Sequence, residues 1–564
     1  MNEEKSKLDE SRNQYEPKIP SILKNSFSRI VIKEGEKSAS ISDTEKIKEH
    51  FPRLYGMPFL EFIEGESNEE AEAKKVGVVL SGGQAPGGHN VIIGLFDGLR
   101  VIHPESQLYG FLGGPKGIFT EKYTQLSAGK IDSYRNTGGF DLIGSGRDKI
   151  ETPEQLEASR AACAKLGLDA LVIIGGDDSN TNAAVLAEYF LGTSQKTVVV
   201  GIPKTIDGDL RNERIEISFG FDTACKVYSE LIGNICRDSA SARKYWHFIK
   251  LMGRSASHVT LECALQNHPN IALIGEEVEE KNMTLQQIVE YVAGIVSKRA
   301  EAGKFFGVCL VPEGLIEFIP EIRKLISELN DILSEHDKYF RTIKLFSDQQ
   351  EFVNQKLSRD SSYVFSTLPA RIQQQLLYDR DSHGNVQVSK IETEKLIIEQ
   401  VSELIAEWSA EGKINEKISE KFKTQSHFLG YEGRCSFPSN FDANYTYSLG
   451  RCAAVLIACG KTGYMASVTN LVSPAKQWQA GGVPLTSLMN MEVRKGREVP
   501  VIKKALVDIK GKPFQIFSEQ RASWELEDKY VFPGAIQYFG PPEICDAPSK
   551  TIVLEREKPQ SSGE

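Results

Sequence analysis

The chain has 564 residues, with 67 Lys and Arg against 77 Asp and Glu, a formal net charge of −10. At about 150 residues per domain, this length suggests three or four domains or two elaborated ones, and it excludes a wholly disordered chain. The acidic balance, with no long basic block, argues against sequence-independent nucleic-acid binding. It leaves small anionic substrates open, because local Lys and Arg can focus a field that the global charge hides.

Residues 1–72 are charged, broken by Pro17, Pro20, Pro52 and Pro58, and read as an N-terminal extension packed on or tethered to the main body. Met1 to Glu10 lacks the basic and apolar blocks of a signal peptide, and no apolar run approaches the ~20 residues of a membrane helix. The nine cysteines are scattered, odd in number and free of any C-x-x-C, which argues against a zinc site or a disulfide framework. These features predict a soluble, cytoplasmic protein with no membrane partner.

From Lys75 the character changes. Val76 to Leu80 is a short apolar run that meets a Gly-rich turn, the pattern of a buried parallel strand. Leu171 to Ile174 before Gly175-Gly176 repeats it, as does Val198 to Pro203. Helix-like stretches, Pro153 to Lys165 and Asn182 to Phe190, lie between, so the fold class is α/β with a mostly parallel sheet. A second α/β set starts near His247 to Leu251 and repeats at Phe306 to Pro312. Residues of about 320–425 carry apolar positions at helical spacing and predict a helical insertion. The expected partition is an extension over 1–72, a larger domain over 73–240 and 435–545, a smaller one over 241–434, and a loosely held tail over 546–564.

Ligands of open α/β sheets bind where strands end and backbone N–H groups and helix N-termini collect. Three Gly-rich strand ends qualify. Ser81 to Asn90 (SGGQAPGGHN) is an anion cradle or a plain strand-to-helix turn. In Gly175 to Asn180 (GGDDSN), two adjacent carboxylates repel. A divalent cation such as Mg2+ offsets this, or the pair is solvated and Ser179 or Asn180 caps the next helix. Pro203 to Asp209 (PKTIDGD) sets a Lys and two Asp after a buried strand. That suits deprotonation of a hydroxyl beside phosphoryl oxygens, or a turn with a surface ion pair. A Walker A loop fails because Val455 stands where glycine is required, and a dinucleotide fingerprint fails at Lys149.

With MGRSASHV, PEGL and YEGR following in order, these motifs resemble the phosphofructokinase family, specifically its pyrophosphate-dependent long-chain branch, from about Lys75 to Ala466. The resemblance implies two three-layer α/β domains with mostly parallel sheets, plus a helical insertion and an N-terminal extension. It also implies Mg2+-assisted, reversible phosphoryl transfer to the 1-hydroxyl of fructose 6-phosphate. Carried onto this chain, it assigns the Gly82 N–H and Arg147 to the phosphoryl donor and Asp177 to Mg2+. Asp207 is the implied base, with Thr205 and Ile206 lining the acceptor and Asp209 in electrostatic support. Met252, Gly253, Arg254, Glu313, Tyr431 and Arg434 are assigned to the sugar phosphate. Lys244 and Tyr245 match residues lent to a neighbouring subunit, implying a homodimer, while His89 and His258 are read as structural.

The donor turns on two positions. ATP-using relatives commonly have Gly where this chain has Asp178 and again where it has Lys204. An Asp fills the space that an α-phosphate and ribose would cross and repels the α-phosphate, and Lys204 adds a cation beside the transferred group. Gln84 stands where GGDAPG would place Asp, a form found in the pyrophosphate-dependent branch. Three rivals remain. Asp178 and Lys204 count against an ATP-dependent phosphofructokinase. A lipid or NAD kinase lacks the PKTIDGD and MGR elements. A non-catalytic regulatory subunit should have lost Asp177, Asp207 or Arg254.

Overall fold

The apolar runs that stop at glycine become the middle of a sheet. Lys75–Ser81, Ala170–Gly175 and Val198–Thr205 lie side by side, flanked by Gln107–Phe111 and Tyr464–Thr469, all parallel. Alternation sends Leu171 and Ile173 into a core with Ala183, Ala184 and Ala187 of the helix Asp177–Gly192. Val172 and Ile174, facing the other way, are equally buried. A parallel sheet covered on both faces needs such continuous apolar strands. Tyr123–Gln125 closes one edge antiparallel. At the other edge follow Gln479–Pro484, Pro58–Glu64 and Ile30–Lys37, also antiparallel. Residues expected as an extension therefore supply two strands of the sheet, with Leu60 and Phe62 turned inward.

This is a computed structural model, and it describes residues 6–66, 72–380, 385–494, 497–535 and 546–557. The chain forms two units. One comprises Met1–Val227, Tyr431–Ala505 and Ile536–Glu557; the other comprises Tyr228–Gly430, Leu506–Ala535 and Lys558–Glu564. The second has its own parallel sheet, in the order Ile271–Ala272, Gly307–Pro312, Trp246–Leu251 and Thr424–Leu429. Residues 320–425 are mainly helical, running from Pro320–Phe340 to Glu416–Lys421, with a kink at His336. Leu325, Leu376, Leu396 and Val401 from these helices share one core with Trp246, Phe248 and Val311 of the sheet. The insertion is thus built into the second unit.

Besides residues 228–240, which fall in the second unit, and 431–434, which fall in the first, two longer segments depart from the expected partition. Residues 506–535, expected in the larger domain, belong to the second unit. There the fully buried Arg299 holds Asp528 at 2.8 Å, and His268 stacks on Trp524 at 4.2 Å. The tail, expected to be loosely held, forms the helix Lys550–Arg556 with Ile552 buried, and Ser549 Oγ donates to Asp222 at 3.2 Å. Cys545 and residues 558–564 lie outside the described residues.

Glycines set one close contact in the first unit. A Cβ at Gly450 would lie 2.2 Å from the Val91 carbonyl, and one at Gly94 equally close to the Tyr447 carbonyl. The helices Gly88–Ile102 and Asn440–Ala458 therefore meet backbone to backbone. Gly450→Ala should cost about 1–3 kcal/mol of stability, because main chain on both sides must shift. Urea unfolding measures this, and an unchanged midpoint would show that the helices can separate freely.

Candidate active site

In the first unit the strand register gathers the three Gly-rich ends. Leu80 lies opposite Ile174, Gly175 opposite Pro203 and Ser81 opposite Gly146, so the chain leaves the sheet at one level in all four places. Ser179 and Asn180 lace these ends together and do not cap the helix. Ser179 Oγ donates to Ser81 Oγ at 2.8 Å, and Asn180 Nδ2 donates to the carbonyls of Gly175, Gly176 and Ile202. Gly176 is the N-cap, without a side-chain bond. Asp177 and Asp178 occupy the first turn that follows, where the helix dipole favours negative charge.

The Gly82 N–H, expected to face the donor, donates instead to the Gly146 carbonyl at 2.9 Å. What Gly82 contributes is a left-handed turn (φ 84°) and the lack of a Cβ, which would sit 3.3 Å from Lys204 Nζ. Lys204 is 6 % exposed and donates to the Gly83 carbonyl at 2.8 Å. Arg434 lies over the same turn: its Nε donates to the Gln84 carbonyl at 3.3 Å, and a Cβ at Gly83 would strike its guanidinium at 2.1 Å. Its charge centre stands 5.8 Å from the exposed Tyr431 ring. The pair that the resemblance links to the sugar phosphate thus belongs to the unit that carries the donor loop. Arg147 is exposed, one residue beyond Gly146.

Burial, and then the nearby Arg434 cation, push the Lys204 amine down to about 8; the carboxylates of Asp207, Asp177 and Asp209 pull the other way without restoring it. Asp209, 7 % exposed, moves oppositely, pushed up to about 7 by burial and by the charge of Asp207, with Lys504 opposing. Asp207 is half-buried in a turn fixed by its own N–H, which donates to Thr205 Oγ1 at 3.1 Å. Ile206 is buried beside it.

Two cations escaped the sequence reading. Lys149 Nζ lies 3.4 Å from Asp178, and Lys504 Nζ 3.7 Å from Asp177. Lys504 arrives because the Ile502 N–H donates to Thr181 Oγ1 on the helix that Asp177 begins, and the Ala505 N–H donates to the Asp209 carbonyl. No local motif marks it; only the returning strand does.

The second unit holds Lys244, Tyr245, Met252, Gly253, Arg254 and Glu313. Leu251 lies opposite Pro312, so Met252-Gly253-Arg254 and Glu313-Gly314 leave the sheet together. The buried Glu313 accepts the Gly253 N–H at 3.0 Å, and Gly314 admits the Arg254 carbonyl where a Cβ would meet it at 1.9 Å. The arrangement leaves the Arg254 side chain exposed. Glu276, also missed in the sequence, accepts the N–H groups of Ser257 and Val507, both at 3.0 Å. Two buried carboxylates therefore brace one loop. Lys244 is exposed, and Tyr245 meets the His247 ring edge-on at 6.3 Å.

A family model described as phosphofructokinase matches residues 75–351. The chain belongs to the phosphofructokinase family. It is 55 % identical to the pyrophosphate–fructose 6-phosphate 1-phosphotransferase of Porphyromonas gingivalis, over 98 % of this chain and 99 % of that protein. It is 53 % identical to the protein of the same name from Treponema pallidum (strain Nichols), covering 99 % and 98 %. The crystal structure of a pyrophosphate-dependent phosphofructokinase from Nitrosospira multiformis shares the fold. Its TM-score is 0.53 at 16 % identity, over 83 % of this chain and 96 % of that one.

The lowered Lys204 value has a measurable sign. The amine is charged below about pH 8 and neutral above it, so affinity for an inorganic polyphosphate anion should fall as pH passes through that value. In Lys204→Arg, whose guanidinium stays charged, this alkaline loss should disappear. Calorimetric titration across pH 7–10 tests it; identical limbs in both proteins would clear Lys204 as the source.

Proposed function

We propose that the chain transfers a phosphoryl group reversibly from inorganic pyrophosphate to the 1-hydroxyl of fructose 6-phosphate, giving fructose 1,6-bisphosphate and phosphate, as a glycolytic enzyme of the cytoplasm. One observation carries this reading: two cations, Lys204 and Arg434, lie over the glycine turn of the donor loop, and neighbouring carboxylates do not return the Lys204 amine to its ordinary range. Such a place suits a small, highly charged phosphate. Full-length identity with enzymes of that name supports it. In this reading Asp178, paired with Lys149 at the start of its helix, stands where a longer polyphosphate ester would pass. No helix among the described residues is long and apolar enough to cross a membrane.

In this mechanism the protein positions groups and supplies fixed charge. Asp207 accepts the proton of the attacking hydroxyl, and the Thr205 bond to its N–H keeps the turn in place. Lys204, with Arg147 and Asp178 shaping the donor side, meets the transferred phosphoryl oxygens. Asp209 supports the charge balance from beneath. Asp177, with a side chain 25 % exposed, would hold Mg2+. Among the described residues no three His, Cys, Asp or Glu side chains form a metal cage, which fits an ion that shares its shell with phosphate oxygens and water. When bound, Mg2+ supplies charge neutralisation on the donor. Met252, Gly253, Arg254 and Glu313 are the sugar-phosphate residues of the second unit, and Tyr431 and Arg434 those of the first. In a homodimer, Lys244 and Tyr245 serve the neighbouring subunit's site.

Initial rates with Mg-pyrophosphate against MgATP test the reading and separate it from an ATP-dependent enzyme or an inactive subunit; turnover with MgATP alone would sink it. In the double variant Asp178→Gly, Lys204→Gly, pyrophosphate activity should fall at least about tenfold while ATP use emerges, and an unchanged donor ratio would remove the steric argument. Asp207→Ala should lower kcat by about 10²–10⁴ with fructose 6-phosphate affinity nearly intact. Wild-type turnover in that variant would disqualify it as the base.

A further inference from the structure

We infer that Arg12, in the N-terminal segment, is a positioning residue that holds the Tyr431–Asn440 stretch and so fixes Arg434; this rests on the reading that Arg434 binds a substrate phosphate. The helix Lys7–Asn13 is short, and Arg12 is its one buried side chain, 2 % exposed. Its guanidinium donates to the Pro438 carbonyl at 2.6 Å and to Asn440 Oδ1 at 2.9 Å, with the Tyr15 ring 4.5 Å away. Those acceptors lie four and six residues after Arg434, Pro438 in the connection that follows it and Asn440 at the start of the helix Asn440–Ala458.

The hold continues to the donor loop. Asn136 Nδ2 donates to the carbonyls of Arg12 and Tyr15, at 3.1 and 2.8 Å. Asn136, at φ 56°, is itself paired twice with Asn90, the last residue of SGGQAPGGHN, at 2.7 and 2.8 Å. Tyr15 Oη and the Lys18 N–H both donate to Asn444 Oδ1. A Cβ at Gly138 would meet the carbonyls of Cys435 and Ser436 at 2.2 and 2.4 Å, so the main chain at Gly138 packs directly on the residues after Arg434. One buried polar network thus spans the N-terminal segment, the donor loop and the Arg434 turn. An apolar side chain could fill the Arg12 site at lower desolvation cost. The guanidinium adds rigid donors that fix two acceptors at once.

The test uses full-length protein and a double-mutant cycle. Arg12→Met should raise the KM of the same substrate that Arg434→Met raises, by about tenfold, with kcat within about twofold, and the double variant should be no worse than Arg434→Met alone. Arg12→Lys, which keeps the charge and loses the fork, should fall between wild type and Arg12→Met. Without any substrate, amide hydrogen exchange across 431–440 should quicken in Arg12→Met. Effects that multiply in the double variant would overturn the assignment, as would a fall in melting temperature with KM and exchange unchanged. If Arg12→Met does not fold, Arg12→Lys carries the same cycle. A wild-type protein inactive with pyrophosphate would defeat the functional reading, and the exchange experiment would still decide whether Arg12 holds the turn.

Discussion

A lysine amine with almost no exposed surface is costly to keep charged, and the first unit is arranged around that cost. Burial alone depresses Lys204, and Arg434 depresses it further. A stability-driven fold would place a carboxylate in direct contact. Instead, Asp177 pairs with Lys504 and Asp178 with Lys149, while Lys204 bonds to a carbonyl. The carboxylates of the site are partly occupied by cations other than Lys204. The compensation that the fold withholds is what an incoming phosphate would supply.

Such a charge can be sustained only on a rigid support. Strand register brings four chain exits to one level, and Asn180 ties two of them through three carbonyls. Above them, Gly83 lets a guanidinium lie on the main chain. In the second unit the same device recurs with opposite charge: Glu313 and Glu276 accept backbone N–H groups of the loop that carries Arg254. In both units buried side chains spend their bonds on the backbone of the loops that carry or adjoin a cationic residue.

The parts legible in the sequence are those with local signatures. Apolar strands ending in glycine gave the parallel sheet, and helical spacing gave the insertion. The contiguous motifs named every residue of the Lys204 turn. What stayed hidden depends on partners far along the chain. Residues 30–64 join the sheet through Leu60 and Phe62 of Pro58–Glu64, an antiparallel strand that buries alternate side chains and so carries no continuous apolar run ending in glycine. Residues 506–535 belong with the second unit through Arg299, more than 200 positions earlier. Lys504 reaches Asp177 from a return strand that carries no motif. The resemblance assigns the Gly82 N–H to the donor, and the bond it makes to the Gly146 carbonyl depends on the pairing of two strand ends that no motif records.

The two carboxylates of PKTIDGD show how one turn can divide two roles. They are two residues apart, and each charge opposes the other. Asp209 is enclosed, and burial together with Asp207 drives its carboxyl toward neutrality, to about 7. Asp207 remains half-buried, open to a hydroxyl, with its N–H anchored on Thr205. A base must be reachable and must keep its position when it gains a proton. Asp207 meets both conditions, and the buried Asp209 fails the first. In the proposed mechanism Asp207 takes the proton; its field on Asp209 then vanishes and Asp209 ionises more readily, so negative charge near Lys204 is partly conserved through the step. In the proposed reaction the same coupling would run backward when the bisphosphate donates, as a reversible transfer requires.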